Sequence, residues 1–127
     1  MDKNELVKLA LDAREKSYSP YSSFKVGAAL LTKSGKIYKG CNVENKAFSP
    51  TCCAERTAFF SAVADGEREF SEIAVVGGED EITDFCPPCG VCRQVMSEFC
   101  DKDFKIHLYN GEEIKTYTLG ELLPENF

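Results

Sequence analysis

A chain of 127 residues can bury one core but is short for two ordinary domains, so a single domain spanning residues 1–127 is expected. An apolar share of 43% with 28% charged residues excludes a disordered chain, and a formal net charge of -6 with scattered Lys and Arg excludes the basic stripe of a nucleic-acid binder. Met1 to Lys16 mixes acidic and basic residues and no long apolar run follows, so neither a signal peptide nor a membrane span is expected, and the expected compartment is the cytoplasm.

In chain order, Asp2 to Ser17 reads as an amphipathic helix with Leu6, Leu9, Ala10 and Ala13 on its apolar face and Asp2 and Glu5 spaced as a capping box. Tyr18-Ser19-Pro20-Tyr21-Ser22-Ser23 breaks it. Phe24 to Thr32 and Ile37 to Val43, joined by a turn at Ser34-Gly35, read as a β-hairpin, with Gly40 marking a bulge. Cys52 to Ala64 reads as a helix in which Ala54, Ala58 and Ala62 recur every four residues, and Ile73 to Val76 as a short strand buried on both faces. Gly90 to Phe99 reads as a helix with Val91, Val95, Met96 and Phe99 on one face. Strands at Phe104 to Tyr109 and Ile114 to Thr118 and a short helix at Leu119 to Leu123 complete the chain. Helices interleaved with short apolar strands imply a layered α/β domain around a largely parallel or mixed sheet.

Seven cysteines and one histidine, His107, mean that any metal site leans on sulfur and that the metal is thiophilic. Cys89 and Cys92 form a C-x-x-C pair at one helix start. Cys53 opens another helix, where unpaired N–H groups and the positive end of the dipole favour thiolate. Three thiolates leave a fourth position open on Zn²⁺, as catalytic zinc requires, and they call for compensating positive charge. Arg56 and Arg93, each beside a cluster, are candidates to supply it by hydrogen bonding to sulfur. Glu55 is out of place in an apolar helix unless it handles protons. A ligand followed by Glu, then Pro-Cys-x-x-Cys downstream, is the pattern known for zinc deaminases as a class, and spacing by itself does not establish that chemistry.

Cys53-Ala54-Glu55-Arg56-Thr57-Ala58, Pro88-Cys89-Gly90-Val91-Cys92-Arg93-Gln94-Val95, Val26-Gly27-Ala28-Ala29-Leu30 and Cys41-Asn42-Val43-Glu44-Asn45 together resemble the cytidine deaminase family. The resemblance implies a three-layer α/β/α fold with a central mixed five-stranded sheet, Zn²⁺ on Cys53, Cys89 and Cys92, and a homotetramer acting on a nucleoside in pyrimidine salvage. It implies that Asn42 and Glu44 hold the ribose hydroxyls, Phe24 packs on the pyrimidine and the backbone at Ala54 reads the base. It also implies that Phe48 and Phe127 approach a site shared between subunits. Under this resemblance water attacks C4 of cytosine while Glu55 carries one proton to N3 and another to the departing amine, giving uridine and ammonia. Ser49-Pro50 and Phe48 depart from the glycine and tyrosine frequent in the family.

Other readings stand beside this one. A deaminase of a cytosine nucleoside antibiotic, similar to blasticidin S deaminase, carries the same metal motifs. A non-catalytic module would close a Cys₄ site with Cys86, and a redox pair would join Cys86 to Cys89. Cys41, Cys52 and Cys100 are expected to be buried structural thiols, His107 a core or surface residue, and Phe59, Phe60, Met96 and Phe99 core.

Overall fold

The structure is a computed structural model that describes residues 1–125 and 127. Helix α1, Lys3–Arg14, starts at Asp2, whose carboxylate accepts the Asn4 N–H. Strands β1, Lys25–Thr32, and β2, Ile37–Cys41, follow, then helix α2, Ala54–Ala64, and strand β3, Phe70–Gly78. Helix α3, Gly90–Phe99, strands β4, Lys105–Tyr109, and β5, Ile114–Thr118, and the short helix α4, Leu119–Leu122, complete the order. The reciprocal capping box lies at α4, between Thr118 and Glu121.

The five strands form one sheet in the order β2-β1-β3-β4-β5, antiparallel throughout except for the parallel pair β3 and β4. Because β1 runs antiparallel to both neighbours, β2 and β3 point the same way. Helix α2 therefore carries the chain from the end of β2 across β1 to β3, and α3 carries it from β3 to β4. Both helices start at one edge of the sheet, beyond the carboxyl ends of β2 and β3, where open α/β sheets bind ligands.

Strand periodicity divides the core between the two faces. Val26, Ala28, Leu30, Ile73, Val75, Ile106 and Leu108 pack against Ala54, Ala58, Phe59 and Ala62 of α2 and Met96 of α3. On the other face Ala29, Leu31, Ala74 and Val76 meet Leu6, Val7 and Ala10 of α1. The result is the three-layer α/β/α arrangement around a mixed five-stranded sheet. Phe59 anchors the α2 layer, its ring centroid 4.9 Å from Phe70 and 6.0 Å from Phe104; losing such a ring costs about 3–5 kcal/mol.

Two glycines set how closely the helices approach. A Cβ on Gly27 would lie 2.0 Å from Ala10 O on α1, and one on Gly40 would lie 2.3 Å from Ala54 O on α2. Gly40 thus marks a close approach of helix to strand, and the expected bulge falls instead between Leu31 and Thr32, where β1 shifts register against β3. Arg14, buried at the end of α1, donates to Lys25 O, Gly78 O and Asp80 O, tying the start of β1 to the loop after β3.

Phe60, expected in the core, is 49% exposed, and Val91, read on the same helix face as Met96, is 56% exposed. The buried stripe of α2 runs through Ala54, Ala58 and Ala62 with Phe59 beside it, and Phe60 lies a further 100° round, facing out. Cys41, Cys52 and Cys100 are half-buried rather than core. His107 is buried between the Thr116 hydroxyl and the Glu72 carboxylate, each 2.7 Å away. Among the described residues no helix is long and apolar enough to cross a membrane.

Candidate active site

The two helix starts at the common edge bring three sulfurs together. Cys53 is the N-cap of α2, Cys89 the N-cap of α3, and Cys92 lies in the first turn of α3. Neither cysteine cap makes a side-chain capping bond, which leaves both sulfurs free to face each other. Cys53 Sγ is 3.8 Å from Cys89 Sγ, Cys89 Sγ is 3.5 Å from Cys92 Sγ, and all three lie within 4.8 Å of one another. A tetrahedral zinc with Zn–S bonds of about 2.3 Å spaces its sulfurs about 3.8 Å apart, so the donor set fits that ion.

Cys86 does not belong to this trio: the metal-competent group among the described residues is Cys53, Cys89 and Cys92. Cys86 lines the same cavity, its Sγ seated over Gly77, and burial pushes its thiol up to about 12. Cys89, the other member of the redox pair, lies in the metal-competent group and cannot serve both. These two facts count against the Cys₄ module and the redox pair.

Hydrogen bonding from Cys92, Arg56 and Cys89 draws the Cys53 thiol down to about 5 against the opposing effect of burial. The contact with Cys53, and then burial, pushes Cys92 upward. Arg56 Nη2 donates to Cys53 Sγ at 3.3 Å, while its Nε is buried without a partner among the described residues. A cation turned into the sulfur cluster offsets the negative charge that three thiolates would carry. Arg93 behaves differently from expectation: its Nε donates to Pro88 O and its Nη1 to Leu122 O, both at 2.8 Å. It braces the residue before Cys89 against α4, and a carbonyl is the better acceptor for a guanidinium aimed away from the sulfurs.

Glu55 is 4% exposed and lines a cavity of about 210 Å³ together with Val26, Asn42, Glu44, Cys53 and Cys89. Burial is the main cause that raises its carboxyl to about 7. Ala54, the first residue of α2, is fully buried beside it. Asn42 is buried and heavily engaged. Its Oδ1 accepts Val26 N–H and the Ser17 hydroxyl, and its Nδ2 donates to Phe24 O at 2.8 Å. The Glu44 carboxylate accepts Tyr21 N–H, Ser22 N–H and the Ser22 hydroxyl, and the last of these is the first cause holding it below its usual range.

Phe24 lies over Gly77, where its ring edge and Cys86 share the space a Cβ would take, and it borders a neighbouring cavity of about 380 Å³. Phe48 is 80% exposed and held at φ 62, bordering a third cavity with Tyr21, Ser22 and Glu44. Phe127 is fully exposed. The single chain therefore gathers Cys53, Cys89, Cys92, Glu55, Arg56, Asn42 and Glu44 at one edge and leaves Phe48 and Phe127 pointing away from its own core. The hydroxyl-rich segment at residues 17–22 reads from sequence only as a helix break, yet it supplies partners of both Asn42 and Glu44. A run of Ser and Tyr directly before a Phe is its only local signal.

The family model for the cytidine and deoxycytidylate deaminase zinc-binding region matches residues 1–108. A cytidine deaminase from Sporosarcina psychrophila is 49% identical over all of this chain and 92% of its own length. The crystal structure of a cytidine deaminase from Burkholderia pseudomallei is 48% identical, covers both chains fully and superposes with a TM-score of 0.93. A blasticidin-S deaminase from Bacillus cereus is 34% identical over 94% of this chain and 88% of its own. On these matches the chain belongs to the cytidine deaminase family of hydrolytic enzymes.

Proposed function

We propose that the chain hydrolyses cytidine and deoxycytidine to uridine and deoxyuridine with release of ammonia, using Zn²⁺ held by Cys53, Cys89 and Cys92. The observation that carries this reading is the three-sulfur group at two helix starts with Glu55 in the adjoining cavity and Cys86 outside the group. A zinc ion held there would supply Lewis acidity, the chemistry that makes water a nucleophile at neutral pH. Glu55, raised to about 7, sits where a carboxyl both accepts and gives a proton readily. It takes one proton from the attacking water as the C4–O bond forms and delivers it to N3, then takes a second from the new C4 hydroxyl and passes it to the amine as the C4–N bond breaks and C4=O forms. Arg56 and Arg93 have different tasks: the first faces sulfur and the second braces the loop.

Hydrogen-bond accounting supports both sugars as substrates. Asn42 has one N–H of Nδ2 still to give, because only the other is engaged, with Phe24 O, while its Oδ1 accepts twice. The Glu44 carboxylate, with three of its roughly four acceptor positions in use, has one left. One donor and one acceptor are satisfied by a single hydroxyl, so a 2′-hydroxyl is not required. Phe24 would cover the pyrimidine, and the start of α2 at Ala54 would read its edge. Among the described residues no Lys or Arg lines the cavities at Glu55 and Phe48, which favours a nucleoside over its phosphate.

We also infer a single domain in a homotetramer, with pyrimidine salvage in the cytoplasm as the setting. The exposed rings of Phe48, Phe60 and Phe127 support a partner surface, and Phe48 at the rim of the Glu44 cavity supports a shared site. The test is ammonia release from cytidine, deoxycytidine, deoxycytidylate and blasticidin S, with zinc quantified before and after chelation. Turnover of the first two that vanishes and returns with zinc is expected. Preference for the antibiotic would move the chain to the reading favoured by the Bacillus cereus relative.

A further inference from the structure

Residues 19–24, which present Phe24, carry no helix or strand of their own, and one backbone bond, from Ser23 N–H to Ser19 O at 3.0 Å, is joined by side-chain bonds in setting their shape. The turn is organised around one carboxylate. Glu44 Oε1 accepts the N–H groups of Tyr21, at 3.0 Å, and Ser22, at 3.2 Å, and its Oε2 accepts the Ser22 hydroxyl. The same Ser22 Oγ accepts the N–H of Phe24 at 3.0 Å. Between them Ser23 is held at φ 62, a left-handed conformation that a non-glycine residue keeps only where its surroundings impose it. Ser22 is thus bonded through one oxygen to both the Glu44 carboxylate and the Phe24 backbone.

We propose that Ser22 is a positioning residue for nucleoside binding, fixing the Glu44 carboxylate and the Phe24 ring at one separation so that sugar and base are engaged together. This rests on the roles proposed above for Glu44 and Phe24. Without the hydroxyl, Glu44 Oε2 loses its partner and Phe24 N–H loses its acceptor, which leaves only the Ser23 N–H bond to Ser19 O and the Glu44 Oε1 contacts to hold Ser23 at positive φ. The turn then samples other shapes, and each binding event must order it again, a cost that falls on association. The sulfurs and Glu55 lie at the starts of α2 and α3, and none of the hydrogen bonds of Ser22 reaches them, so the chemical step is spared.

The experiment compares wild type with S22A and S22T, measuring KM and kcat for cytidine and deoxycytidine, zinc stoichiometry and melting temperature. Loss of a charge-assisted bond at an exposed turn is expected to raise KM roughly tenfold for both nucleosides. kcat should stay within about twofold, as expected when only uniform binding is lost, with full zinc content. S22T keeps the hydroxyl and should restore KM to near the wild-type value. An unchanged KM in S22A, a kcat that falls in step with it, or an S22T enzyme as impaired as S22A would each overturn the proposal. The S22T result decides the matter even if S22A folds poorly, because a hydroxyl that does not rescue cannot be the positioning group. A zinc-loaded wild type that deaminates neither nucleoside would instead sink the underlying functional reading.

Discussion

Adding one methyl group at Gly40 tests whether the metal geometry depends on how closely α2 lies on β2. In Gly40→Ala the new Cβ would meet Ala54 O at 2.3 Å, Ala58 N at 2.5 Å and Thr57 Oγ1 at 2.5 Å. Two of these are backbone atoms of the first turns of α2, so relief requires the helix start to retreat. Reaching even 3.0 Å from Ala54 O takes a shift of about 0.7 Å, several times the roughly 0.2 Å tolerance of a metal–ligand distance. Cys53 caps that turn and would move with it, widening the 3.8 Å separation from Cys89. Overpacking of this kind costs about 1–3 kcal/mol, a drop in melting temperature of roughly 5–15 °C for a domain of this size. Zinc affinity should fall by at least about tenfold, as when an outer support of a ligand is lost. Gly90→Ala is the control, since a Cβ there meets nothing within 4 Å. The assay is thermal unfolding with competitive zinc extraction by a chromophoric chelator. Were Gly40→Ala to match Gly90→Ala in both, the close approach would not govern the site.

Glu55→Gln should retain zinc and the fold while turnover of cytidine falls by at least about 10³-fold, because two proton transfers lose their carrier; kinetics with parallel metal analysis checks this. Cys86→Ser should keep zinc content and most activity, whereas Cys53→Ser should lose both, and equal metal loss in the two would revive a four-sulfur site. Burial raises the Cys100 thiol from 9.0 to about 12, so the folded state holds a proton that the unfolded chain releases. Its contribution is intact below pH 9.0 and is lost as pH rises toward 12. Urea unfolding midpoints between about pH 8 and 11 should therefore fall more steeply in wild type than in Cys100→Ala.

What the sequence discloses follows from how local each signal is. The three sulfurs and Glu55 are legible because each lies at a helix start, where N-caps and the spacing of a C-x-x-C pair fix direction within one turn. The strand at Phe70–Gly78 reads in isolation as only Ile73 to Val76. Its true length comes from pairing with β1 along Lys25 to Thr32, a contact distant in the chain. Gly40 reads as a bulge because a strand glycine has two explanations, and only the helix lying on it decides between them. Arg93 reads as a partner of sulfur because it neighbours Cys92, but side-chain direction in α3 sends it to Pro88 O and Leu122 O. Asn42 and Glu44 emerge through family resemblance alone, since their partners at Ser17, Tyr21 and Ser22 lie more than twenty residues earlier.

The two faces of the sheet thereby divide the work. On the α1 side, Gly27 lets the helix touch β1 and Arg14 ties the strand start to the loop after β3, while Cys53 and Cys92 pack in the cluster of the α2 side. On the α2 side the three sulfurs, Glu55 and Arg56 lie at helix starts, and Asn42 and Glu44 lie just beyond the end of β2. A change at Gly27 should therefore destabilise the fold while leaving metal affinity in the surviving folded protein unaltered, whereas one at Gly40 should damage both. The difference arises because parallel strands β2 and β3 end at one edge and the helices that follow them must begin there. Topology alone brings two positive helix ends to one point, and three thiolates are the side chains best able to use them.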